Sequence, residues 1–373
     1  MDDPSATMSI GVSPAGIPHA ATSARAATAL LLTRDDIVPL MSLDDYSKAV
    51  ETGFRALAAG AARSPPPLHL HARDGAFHAK GAMLEAEARH VAVKINSNFA
   101  HNPKRHGLPT IQGAILLFDA DDGRLLALLD SIEITLRRTA AASALAARYL
   151  ARRDAATIAI CGCGEQARAQ IAALARELPL ARAYAWDQDS DAAIDLAAKM
   201  TGLLGIPITA VTDMREATLA SDVIVTTTTA RVPFLGPSDV RPGSFVAAVG
   251  ADNPEKSELQ PELMRRASVY VDVRGQCLAM GDLHHAVASG AMSPDEVRAD
   301  LAELVSGAKP GRASAEEITI FDSTGTAVQD VAVAVAVHER ARRAGVGTPL
   351  RLAGTPPTER VASHASNDSL PAH

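Results

Sequence analysis

Aromatic side chains are scarce in this chain, with one tryptophan, four tyrosines and seven phenylalanines among 373 residues. A core so short of rings is filled by aliphatic and small side chains, and the abundant alanine favours helices packed closely on sheets. Cysteine is scarcer still: Cys161, Cys163 and Cys277 cannot build a disulfide framework and suit a reducing cytoplasm, the expected location. Basic residues are in deficit. The formal charge of −7 leaves no basic footprint, so nucleic acid is not an expected partner. No apolar run approaches the roughly 20 residues that cross a bilayer, so no membrane partner is expected either. The start at Asp2-Asp3 has no basic flank or apolar stretch, and Arg25 is the only arginine before residue 28, so neither a signal nor a transit peptide is expected.

What the chain does have is length and aliphatic content. At 373 residues, 47% of them hydrophobic, it is long enough for two domains or for one domain interrupted by another. Its most informative stretch is Thr157 to Leu178. A short apolar run, Thr157 to Cys161, reads as a fully buried parallel strand and breaks into Gly162-x-Gly164-x-x-Ala167. The period then changes, with Ala167, Ile171, Leu174 and Leu178 on one helical stripe. Strand, glycine turn and helix form the context of a dinucleotide fingerprint. Gly162 allows the tight turn, Gly164 lets a pyrophosphate approach the backbone, and Ala167 permits close helix–strand packing. Asp187 follows the expected second strand, Ala183 to Trp186, where a carboxylate accepts from both ribose hydroxyls of NAD and repels the 2′-phosphate of NADP. The competing reading is a turn-initiating aspartate before the next helix. Cys161 and Cys163 bracket Gly162 and read as small strand-end residues rather than metal ligands.

In chain order, residues 1–27 lack periodicity and read as a disordered extension, as do 351–373. A strand at Ala29–Leu32 leads to a helix start at Thr33-Arg34-Asp35-Asp36, and a second helix spans Leu43 to Ala59. Strands are expected at Leu68–His71 and Gly75–Lys80, joined by a hairpin at Arg73-Asp74-Gly75. His69, His71 and His78 alternate along them with no carboxylate or cysteine at ligand spacing, so no metal is expected. Val91 to Asn96 is an apolar strand that holds Lys94. If that lysine points inward it needs an anion, because an unpaired buried charge is very costly. Further strands are expected at Ala114–Phe118 and Leu125–Leu129, then a helix from Glu133 to Leu150 on which at most one of Arg137 and Arg138 faces a cleft. After residue 154, strands at Ile206–Thr209, Val223–Thr227, Phe245–Val249 and Val269–Asp272 alternate with helices. Val328 to Arg343 reads as one long helix.

Several motifs together resemble the ornithine cyclodeaminase/mu-crystallin family. They are Lys94-x-x-x-Asn98, Gly107-Leu108-Pro109-Thr110, Asp130, and Thr135-x-x-Arg138-Thr139-Ala140-Ala141-x-Ser143-Ala144-Leu145-Ala146. Further on come Gly162-x-Gly164-x-Gln166-Ala167, Gly250-Ala251-Asp252-x-Pro254-x-Lys256-x-Glu258-Leu259 and Phe321-x-Ser323-x-Gly325-x-Ala327-x-Gln329-Asp330. The resemblance implies an α/β fold in which a Rossmann NAD-binding domain, residues 151–321, is inserted in an α+β substrate and dimerisation domain. That second domain is formed by residues 28–150 and completed by 322–350. It also implies a homodimer that binds NAD and a small amino or imino acid.

By the same resemblance, Lys94 and Arg138 hold the substrate carboxylate, and Asp252 handles protons at the amine, making Asp252 and Lys94 the catalytic candidates. Asp252 follows an expected strand at the carboxyl end of the sheet, where ligands of such sheets bind. Its competing reading is an Asx turn before Pro254. Glu165, Gln166, Thr139, Thr227, Thr228, Ser323 and Gly325 join Gly162, Gly164, Ala167 and Asp187 as expected cofactor contacts. The sequence departs from the cyclodeaminase pattern where the substrate sits. Leu68 replaces an arginine, Lys80-Gly81 replaces Met-Pro, His78 takes a position often held by a carboxylate, and Glu255 replaces a glycine. Lys80 and His78 are therefore expected to reach the substrate. The expected activity is an amino-acid dehydrogenase or imino-acid reductase. A cyclodeaminase acting as an ammonia-lyase on ornithine or lysine, and a non-catalytic NAD(P)H-dependent binder, remain as alternatives.

Overall fold

The protein is described by a computed structural model over residues 28–99 and 101–352, so the extensions expected at 1–27 and 351–373 lie outside the described residues apart from Arg351 and Leu352. The first seven strands are Ala29–Leu32 (β1), Ala62–Arg63 (β2), Leu68–Ala72 (β3), Gly75–Glu85 (β4), Arg89–Asn98 (β5), Ile111–Asp119 (β6) and Leu125–Asp130 (β7). The next eight are Thr157–Cys161 (β8), Arg182–Trp186 (β9), Ile208–Ala210 (β10), Val223–Thr226 (β11), Phe245–Ala248 (β12), Ser268–Val271 (β13), Ala299–Asp300 (β14) and Thr319–Asp322 (β15). Thr348–Leu350 (β16) closes the series. They make two sheets within one compact unit, Ala29–Leu350.

The first sheet runs β16-β1-β7-β6-β5-β4-β2, with β3 hairpinned onto β4. Strict alternation shapes it: Ala92 and Lys94 of β5 and Ile115 and Leu117 of β6 are buried, while Val93, Ile95 and Leu116 between them are not. The helix Ala327–Ala344 lies over the buried face of β4, β5 and β6, and the helix Leu43–Ala58 packs on that helix. Gly53 sets their approach, because a Cβ there would lie 3.0 Å from Ala332 Cβ. The opposite face stays apolar but uncovered among the described residues. Ile95 is 45% exposed and Phe77 40%.

The second sheet has no such alternation. Its strands run β10-β9-β8-β11-β12-β15-β13-β14, all parallel, and β11, β12, β13 and β15 are buried along their whole length. The helix Ser131–Leu150 joins the two sheets. Its run from Ala140 to Ala147 is buried, and small side chains let it pack against the helix Glu165–Glu177. After β15 the chain re-enters the first sheet through Ala327–Ala344.

The long elements match the sequence reading to within a few residues. The two-residue strands β2 and β14 and the five-residue helix Asn102–His106 carry too little pattern to be read. β10 starts at Ile208 rather than Ile206 because Pro207 has no N–H for a ladder bond. The consequence for the site is geometric: the carboxyl ends of β8, β9, β11, β12 and β15 present Gly162, Asp187, Thr227, Gly250 and Ser323 along one edge.

Candidate active site

Two cavities open along that edge and share Thr227, Thr228 and Thr229 as lining. The second, of about 400 Å³, is bounded by the glycine turn, Trp186, Asp187, Gln188 and Phe234. Gly162 has φ +96°, and a Cβ there would lie 2.9 Å from Thr228 Cγ2, so the turn admits only glycine. Gly164 is different. A Cβ there would meet no protein atom within 4 Å, so its absence leaves open space at the N-terminus of the helix Glu165–Glu177. Bare backbone N–H groups at a helix start beside that space fit a pyrophosphate.

Asp187 makes the turn of the competing reading and also lines the second cavity. Its Oδ2 accepts from the Cys163 backbone N–H at 2.7 Å, tying the second strand to the glycine turn, and its Oδ1 accepts from Asp189 N at 2.9 Å. Each oxygen keeps a second lone pair for a ribose hydroxyl. The next helix is capped by Asp189 rather than Asp187.

The first cavity, of about 250 Å³, lies between the two sheets. β4 and β5 place His78, Lys80, Lys94 and Asn96 on the same face, with Lys80 directly opposite Lys94. Lys94 does point inward, and its anion is Asp330, at 2.7 Å. Arg138 donates Nε to the other Asp330 oxygen at 3.0 Å and Nη1 to Gln329 at 2.9 Å. Arg137 turns away and pairs with Glu133. Gly325, at φ +74°, leaves room for the guanidinium, because a Cβ there would lie 2.6 Å from Arg138 Nη1. Burial lowers the Lys94 ammonium to about 7; Asp330 opposes that shift, and Arg138 and Lys80 add to it. Burial works against ionisation of Asp330, but Lys94 and Arg138 outweigh it and hold its carboxyl below the usual range.

Asp252 stands across this cavity on the loop after β12. The Asx turn before the prolyl loop is made by its neighbour: Asn253 Oδ1 accepts from Glu255 N at 3.0 Å and Lys256 N at 3.1 Å. Asp252 is thus free of that duty, and its side chain, 49% exposed, pairs with Lys256 at 2.7 Å. Desolvation disfavours its charged form, but Lys256, Lys80 and His78 hold its carboxyl below the ordinary value. The histidines of the β3–β4 hairpin separate. His69 and His78 share a hydrogen bond between their Nδ1 atoms at 2.7 Å, while His71 is exposed.

Not every expected contact faces the cavities. Glu165 is exposed and bonded to Arg168, outside both linings. Thr227 donates its hydroxyl to Gly162 O at 2.9 Å, and Ser323 donates to Asp272 at 3.3 Å, so both line the first cavity while bracing the strand ends. Gln166 and Thr139 also line it, and Ala167 is fully buried under the glycine turn.

Two acids were missed as site residues: Asp330 and Glu258. Glu258 is completely buried; Oε1 accepts from Thr228 N at 2.6 Å and Oγ1 at 2.7 Å, while Oε2 accepts from Thr226 Oγ1 at 2.6 Å and Gly250 N at 2.8 Å. It therefore clamps the Thr227–Thr229 lining to the loop that carries Asp252. The motif containing it was visible, but no local spacing shows four donors arriving from two other strand ends.

Residues 27–345 match the ornithine cyclodeaminase/mu-crystallin family. An archaeal alanine dehydrogenase dimer with bound NAD is similar to this chain at a TM-score of 0.83 and 36% identity, covering 87% of this chain and 100% of that one. The Thermococcus litoralis Delta(1)-pyrroline-2-carboxylate reductase, solved with NADH and L-proline, gives 0.83 and 35%, covering 86% and 100%. A lysine cyclodeaminase that recognises L-lysine, L-ornithine and L-2,4-diaminobutyric acid gives 0.78 and 30%, covering 88% and 97%.

Burial and the neighbouring Asp282 push the Glu258 carboxyl up to about 7, although its hydroxyl and N–H donors oppose the shift. A group raised in the folded state stabilises fully below its unfolded value, and that contribution is lost as pH rises through the folded value. Unfolding free energy from urea titration is expected to fall between pH 5 and pH 8 in the native chain and to change less in Glu258→Gln. Because each carboxylate oxygen accepts a backbone N–H, the amide leaves one donor unsatisfied, and the variant is expected to lose about 1–3 kcal/mol at pH 5.

Proposed function

The chain belongs to the ornithine cyclodeaminase/mu-crystallin family, and from that premise we propose an NAD-dependent enzyme that moves a hydride at the α-carbon of an amino acid or its imine. The observation that carries this reading is the placement of a half-exposed Asp252 carboxylate across one cavity from Lys94, Arg138 and Lys80, where that cavity adjoins the one bounded by the glycine turn. A non-catalytic binder has no use for a proton acceptor facing a carboxylate clamp.

NAD, when bound along Gly162, Gly164, Asp187 and the Thr227–Thr229 lining, supplies the two-electron acceptor or donor. The chain's own residues do the rest. Lys94 and the unused edge of Arg138 hold the substrate carboxylate, charge to charge and in a fork. Asp252, ionised, takes one proton from the substrate ammonium. The free amine then assists departure of hydride from the α-carbon and is left as an iminium. In the reducing direction the protonated imine receives hydride and Asp252 returns its proton to the amine so formed. Being half-exposed, Asp252 exchanges that proton with water between turnovers. Lys94, lowered by burial, can also give up its proton, which makes it a second acid–base candidate beside Asp252. Residues 28–150 with 322–350 serve as the substrate part and 151–321 as the cofactor part. The three cysteines, all free and buried, suit the cytoplasm.

The cyclodeaminase reading shares every step to the imine and then returns the hydride. One assay separates the two. A dehydrogenase or reductase changes NADH absorbance in step with substrate, and a cyclodeaminase releases ammonia from ornithine or lysine with no net change. The first outcome is expected. Asp252→Asn is expected to lose about 10²- to 10⁴-fold in kcat, as removal of a general acid–base group does, while binding NADH like the parent; unchanged turnover removes the proton role.

The uncovered face of the first sheet, with Phe77 and Ile95 at its centre, is assigned to a homodimer contact. Light scattering at micromolar concentration is expected to report a dimer for the native chain and a monomer for Ile95→Asp. A monomeric native chain contradicts the assignment.

A further inference from the structure

The cations of the first cavity outnumber the acids that serve them. Lys256 is matched by Asp252, and Lys94 and Arg138 share the single carboxylate of Asp330. Lys80 has none. Its ammonium donates to the backbone carbonyls of Gly325 at 2.8 Å and Thr324 at 3.2 Å, and no carboxylate among the described residues lies within ion-pair distance. An ammonium carries three N–H donors, so one remains.

The arrangement is repulsive without a ligand. Lys80 and Lys94 face each other across adjacent strands, where like charges destabilise; burial and Arg138 lower both, and Lys80 lowers Lys94, while Asp330 opposes the shift at each. Four basic side chains, Lys80, Lys94, Arg138 and Lys256, thus share two acids, Asp330 and Asp252. Beside Lys80 on the same face of β4 stands His78, whose Nδ1 is taken by His69. Only Nε2 is left for a ligand, and it is a donor whenever His69 donates.

We propose that the substrate is a dicarboxylic amino acid or its imine, with the α-carboxylate on Lys94 and Arg138 and the second carboxylate on Lys80 and His78. This rests on the hydride-transfer reading above and names its substrate class. It also disfavours diamino acids, whose second ammonium would meet Lys80.

The test uses ligands that cannot react. Succinate and butyrate have equal chain length and no amine, so calorimetric titration of the NADH-saturated protein reads binding alone. Succinate is expected to bind at least about tenfold more tightly, the effect of one added charged hydrogen bond. Lys80→Met is expected to bring the two ligands within about twofold of each other, and Lys80→Arg to keep the preference. Equal binding of both ligands by the native protein overturns the proposal without any variant, as does failure of both to bind at about 10 mM. Equal weakening of both by Lys80→Met overturns it too, because Lys80 then holds the α-carboxylate. Selective succinate binding with no hydride transfer to any imine leaves the substrate class standing and removes the function reading.

Discussion

The site depends on one buried carboxylate. Asp330 lies in the first turn of the helix Ala327–Ala344, the segment that brings the end of the chain back over the first sheet. It is 1% exposed and holds Lys94 from β5 and Arg138 from the joining helix, so three distant segments meet at one charge. Removing it would leave two enclosed cations with no anion, a loss of about 3–5 kcal/mol for a broken buried pair. The same carboxylate neutralises only part of the charge it gathers. The remainder leaves Lys80 in the same cavity without an acid of its own.

A second set of acids does comparable work on the cofactor side. Glu258 clamps the ends of β11 and β12, and Asp282 receives the backbone N–H groups of Glu258 and Leu259 at 2.7 and 2.9 Å. Burial raises Asp282 to about 6 and also raises Asp322 well above the usual carboxylate range, with Asp282 adding to the latter. Asp272 accepts from Gly325 N at 2.6 Å and from Ser323 and Thr324, fixing the loop whose carbonyls hold Lys80. The loops that line the cavities are thus anchored from behind by carboxylates, and their outward faces stay open.

Much of this was legible in the sequence, for physical reasons that differ by residue. The glycine turn could be read because strand, turn and helix are local and each has its own period. Lys94 could be read as needing an anion, because an apolar strand is a costly place for a charge, but the anion lies in a distant helix, Ala327–Ala344. There Asp330 looks like any acid favoured near a helix N-terminus. Asp252 and Asn253 are adjacent, and composition alone does not say which makes the turn; the structure gives it to Asn253. The lone cation Lys80 was visible as a departure from the family pattern. Its lack of a partner was not, since that depends on every side chain around it.

The central claim is that hydride moves at a carbon bearing nitrogen, with Asp252 managing the proton. Mass spectrometry of the product formed from an imino acid and NADH carrying deuterium at both C4 positions of the nicotinamide tests it most directly. The account predicts one deuterium at the α-carbon for each NADH consumed. A product with no deuterium there, or deuterium placed at another carbon, would contradict it.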